Sequence, residues 1–87
     1  MIVKSEIRPG AYFDSVVLMQ LQRKLADLPE VDDAGVVMGT PANKQLLEDF
    51  DLLTDEGKAA KPDDLLIVVR AASEQAAVDA LAQVDRL

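Results

Sequence analysis

Eighty-seven residues of 9.4 kDa, with nine Lys and Arg against sixteen Asp and Glu and a formal charge of −7, make one small acidic domain and disfavour a phosphate backbone as partner. Cys and His are both absent, which removes disulfides, thiolate nucleophiles, imidazole bases and the commonest zinc ligands together. An apolar share of 49% excludes disorder, and no apolar run approaches the ~18–20 residues that span a bilayer.

Residues 1–8 alternate, with Met1, Val3, Ser5 and Ile7 on one face and Ile2, Lys4, Glu6 and Arg8 on the other. That period predicts a half-buried strand, ended by Pro9-Gly10. No charged-then-apolar leader precedes Ile2, so the cytoplasm is the expected compartment. After Asp14 or Ser15 as N-cap, Val17, Leu18, Leu21, Leu25 and Leu28 fall at helical spacing, and Pro29 closes the helix. Ala34 to Met38 read as a short apolar strand broken by Gly39. Thr40 as cap and Pro41 at the first helical position open a second helix that runs to about Asp49.

Residues 51–63 read as irregular. Their acids do not alternate before Gly57 as a calcium loop requires. Leu65 to Val69 are five consecutive aliphatic residues, the pattern of a strand covered on both faces. Ser73 caps a last helix to about Arg86, with Ala77, Leu81 and Val84 on one side.

The order β-α-β-α-β-α over residues 1–87 predicts an α+β two-layer sandwich, ferredoxin-like or ACT-like with three strands. The first and last helices cover one sheet face, and the 65–69 strand lies at the centre. A small all-parallel three-layer sheet is the alternative. Leu66 and Val68 point away from the helix layer. Leaving such residues wet would forgo roughly 1.5–3 kcal/mol each. The second face therefore needs a cover: another subunit in a homodimer, the inserted helix, or a neighbouring domain.

Two segments carry candidate chemistry. In Met38 to Lys44 a glycine turn leads into a helix N-terminus, where free N–H groups favour an anion. Gly39, Thr40, Asn43 and Lys44 are the candidate ligands, although helix capping alone accounts for Thr40. The spacing is not that of a P-loop. Tyr12, with Phe13 and Asp14 at the start of the first helix, could gate a pocket, anchor an interface or serve as a hydrophobic staple. Asp49, Asp51, Asp55 and Glu56 could be paired for acid-base work, but nothing suggests the desolvation that such work requires. Ser5, Ser15 and Ser73 lack a His partner for a catalytic triad. No catalytic residue and no metal ligand is assigned.

Three stretches resemble a known family. Residues Ala11 to Met19 resemble the "YxDSVxLM" stretch of FdrA-type proteins, Val37 to Lys44 with Leu46-Leu47 its "MMGTxANKxxL", and Asp63 to Ala71 its "NDLxIxVxA". The resemblance implies the N-terminal domain of a larger protein related to succinyl-CoA synthetase and NDP-forming acyl-CoA synthetases, an acid-CoA ligase or a carbamoyltransferase. In such a protein CoA and nucleotide belong to later domains. No phosphorylatable His and no Gly-x-Gly-x-x-Gly turn occurs here. The expected function is thus a non-catalytic domain serving domain or subunit assembly, with completion of a ligand site as a further role. The alternative is a stand-alone ACT-like regulatory module that binds a small anionic metabolite. Expected partners are other domains of the parent protein and a second copy through an apolar sheet face, with no nucleic acid and no membrane.

Overall fold

The computed structural model describes residues 1–11 and 13–86. Its elements are β1 (Ile2–Arg8), α1 (Ser15–Ala26), β2 (Val31–Met38), α2 (Pro41–Asp49), α3 (Asp55–Lys58), β3 (Leu65–Ala71) and α4 (Glu74–Ala82), followed by a 3₁₀ turn at Val84–Arg86. The sheet order is β1-β3-β2, and β3 runs antiparallel to both neighbours. The sheet therefore has the ferredoxin-like α+β arrangement, with β3 central. An all-parallel sheet is ruled out by the two antiparallel ladders.

Strand β3 organises both halves of the core because its side chains alternate across the sheet. Leu65, Ile67, Val69 and Ala71 join Leu25, Ala34, Val36, Ala76, Ala77, Ala80 and Val84 beneath α1 and α4. The alanines let α4 lie close to the sheet. On the opposite face Leu66 and Val68 meet Leu47 and Leu52, with Val3, Ile7, Val37 and Leu53 around them. All five residues from Leu65 to Val69 are at most 1% exposed. The inserted segment thus covers the second face, and the apolar surface expected to bring in a second subunit is already filled from within the chain.

The inserted segment holds more structure than its composition suggests. The Thr54 side chain accepts from Gly57 N and so caps α3, a short turn where an irregular loop was expected. Thr54 Oγ1 also lies 2.6 Å from Ser5 Oγ, which fastens α3 beneath β1. Strand β2 begins at Val31, earlier than Ala34, with a register shift between Val31 and Asp33. The acidic residues Asp32 and Asp33 hide this extension, but Arg70 on β3 meets Asp32 at 2.9 Å and Asp33 at 3.7 Å. No helix among the described residues is long and apolar enough to cross a membrane.

Candidate functional site

The loop from β2 into α2 is built as the sequence suggested, but its polar groups face inward. Thr40 Oγ1 accepts from Asn43 N at 3.2 Å, the N-cap bond. The Asn43 side-chain amide donates to Met38 O at 3.0 Å. Lys44 Nζ donates to the carbonyls of Lys58, at 2.8 Å, and Ala60. An ammonium placed over carbonyls at the end of α3 is satisfied by the chain's own oxygens and by the helix dipole. Gly39 shows the same economy of space. A Cβ there would lie 2.5 Å from Lys61 O, so the residue permits close backbone approach rather than opening a cradle. Gly39, Thr40, Asn43 and Lys44 do come together, and the work observable for them is to tie β2, α2 and α3 into one unit.

The other predicted segment opens a surface. Tyr12 lies outside the described residues. Asp14 caps α1, its Oδ1 accepting from Val16 N at 2.9 Å. Helical spacing then places Val17, Leu21 and Lys24 beside Phe13 along a cleft of about 240 Å³, closed on its far side by Arg8, Leu65 and Val84. Phe13 is 46% exposed, Val16 57%, Val17 45% and Met19 67%. Phe13 and Val17 thus present exposed apolar surface at the rim of the cleft, and Val16 and Met19 are exposed elsewhere on the first turns of α1.

The one cation on the strand side of that cleft is spoken for. Arg8 Nε donates to Glu6 Oε2 at 2.6 Å and an Arg8 terminal nitrogen donates to Asp85 Oδ1 at 2.7 Å. The bond to Asp85, then that to Glu6, pushes the guanidinium pKa up from its ordinary value. The Arg8–Asp85 pair joins the end of β1 to the last turn across 77 positions, a distance over which no sequence period gives a signal. The exposure of Phe13 and Val17 was likewise hidden, because apolar residues next to a cap resemble an ordinary staple.

These features define a small ferredoxin-like α+β domain with an open cleft beside the first turns of α1. The chain belongs to the family described as AllF, heavy metal-associated domain, whose family model matches residues 1–87. It is also 44% identical over 73 residues to the uncharacterized protein YahF of Escherichia coli (strain K12), a stretch that covers 84% of this chain and 14% of that relative. No solved structure matches it. These findings replace the FdrA-type assignment: the family matched is that of the AllF domain, and neither finding names an acyl-CoA synthetase. The acyl-CoA synthetase expectation falls with that assignment, as does the stand-alone ACT-like module.

The family description implies a heavy metal, and the donor set does not fit one. Soft metals take thiolate, thioether or imidazole ligands, and this chain has neither Cys nor His. Its three Met residues are Met1, Met19 and Met38. Met1 precedes the end of β1 that pairs with Ala71, whereas Met38 pairs with Leu65 at the opposite end of β3. Among the described residues no three carboxylates gather where they could hold an ion.

Proposed function

We propose that this domain is a non-catalytic docking module within a longer protein, held against a neighbouring domain by the exposed apolar residues at the start of α1. The observation that carries this reading is the exposure of Phe13 and Val17 at the rim of a cleft, with Val16 and Met19 also exposed on the first turns of the same helix. Apolar surface gathered in this way marks interaction sites more often than isolated exposed residues do. The 14% share of the relative's length supports a partner within the same polypeptide. The reading keeps the domain in the cytoplasm, since a chain without cysteine gains nothing from an oxidising compartment.

Because cysteine is absent, a single Val17→Cys substitution gives one addressable thiol. Its labelling rate with a maleimide is compared between the 87-residue chain and the longest natural form of the protein. The reading expects slowing of at least about tenfold in the longer form. Equal rates would place α1 in solvent in both and overturn it.

A further inference from the structure

The two edges of the sheet are finished differently. At β2 a register shift breaks the ladder near Val31, and Gln22 of α1 accepts from the outward Val36 N–H at 3.0 Å. Both are devices that discourage further strand pairing. Strand β1 has no equivalent. Among the described residues its backbone takes one hydrogen bond beyond the β3 ladder, from Ala11 N to Arg8 O at its very end. Its seven residues pair with β3 without interruption, so an unbroken strand lies along the open edge.

The sequence of that strand, Ile2-Val3-Lys4-Ser5-Glu6-Ile7-Arg8, is complementary to itself when reversed. Turned about a twofold axis at Ser5, Lys4 of one copy opposes Glu6 of the other, twice by symmetry. On the opposite face Val3 opposes Ile7, again twice. At the ends Ile2 lies beside the aliphatic stem of Arg8. Opposite charges and apolar pairs directly across an antiparallel ribbon stabilise it, and like charges there destabilise it. The faces agree with the fold as well. Val3 and Ile7 border the cluster around Leu66 and Val68, so the paired strands would extend that cluster across the axis. Lys4 and Glu6 lie on the α4 side, where Lys4 already reaches Glu74 at 3.0 Å.

The geometry points to a second copy of this chain as the occupant of the β1 edge, paired antiparallel about Ser5 to make one continuous six-stranded sheet. An isologous contact of this kind closes on itself and leaves the two β2 edges outermost, where Gln22 guards them. A ribbon this short is a small interface, so the dissociation constant is about micromolar or weaker.

Charge exchange tests the register directly. Sedimentation of the 87-residue chain up to millimolar concentration is expected to show a monomer–dimer equilibrium. Lys4→Glu or Glu6→Lys alone should weaken it about tenfold, with circular dichroism showing both variants folded. In an equimolar mixture of the two variants, both acids of one strand face both bases of the other. That mixture should recover the wild-type constant, as should the double variant. A mixture no tighter than its components overturns the proposal, as does wild-type dimerisation indifferent to both substitutions, which would put the contact elsewhere, for instance on α1. A monomer whose outward β1 amides exchange slowly would show another segment of the protein on the edge, and a monomer with fast exchange would show an empty one. Either result overturns the second-copy assignment. The docking role of α1 stands or falls separately, on the labelling of Val17→Cys.

Discussion

A lysine four residues past a capping threonine ordinarily suggests an anion site, and Lys44 occupies that place in the chain. Its ammonium is instead held by the carbonyls of Lys58 and Ala60, where it acts as a clasp between α2 and the end of α3. Lys44→Met keeps most of the side-chain volume and removes the donors, leaving two carbonyls at the rim of the fold to find water. The expected loss is about 1 kcal/mol, read as a lower urea midpoint with an unchanged slope. A loss that appeared only on removal of a bound anion would return Lys44 to the role its position suggested. Thr40 was legible as a cap because capping is local. The partners of Lys44 were not, because which carbonyls lie 14 and 16 residues onward is decided by packing and leaves no spacing signal.

The end of α2 carries a C-terminal motif formed by backbone alone. Leu52 N donates to Leu47 O at 2.8 Å and Asp51 N to Glu48 O at 3.0 Å, the paired bonds that close a helix through a left-handed residue. Asp51 is that residue, with φ 58°. Its neighbours Leu47 and Leu52 then meet in the core beside Leu66 and Val68, so the turn aims the inserted segment back across the sheet. Glycine takes this conformation more readily than aspartate. Asp51→Gly is expected to raise stability by about 0.5–1 kcal/mol, a gain of several degrees in unfolding midpoint for a domain of this size. A fall would show that the aspartate side chain supports the turn. The helices of the first layer and the buried central strand were readable from period and run length. The cover over the second face was not, because Leu52 and Leu53 sit among acids and no period links them to β3, so burial on both faces was visible while its agent was not.

Across the whole molecule the same shortage of reactive side chains meets a family description that speaks of heavy metals. Without thiol or imidazole the chain must bind a soft cation, if at all, through thioethers or carboxylates. Its thioethers are divided between the two ends of the sheet and α1, and among the described residues its carboxylates form no triad. The net charge of −7 still gathers a diffuse cloud of cations, but that attraction is screened over about 8–10 Å at ordinary ionic strength. Thermal unfolding separates a cloud from a site. A metal held with a dissociation constant of ~1 μM and present at ~100 μM would stabilise the native state by about 2.7 kcal/mol, or roughly 10–20 °C in a domain this small. Zinc and cuprous ions at that concentration, in about 0.15 M salt, are expected to move the midpoint by less than about 2 °C. A rise of ten degrees would reveal a soft-metal site assembled from donors that neither the composition nor the described geometry brings together. It would also make the docking role of α1 secondary to metal handling.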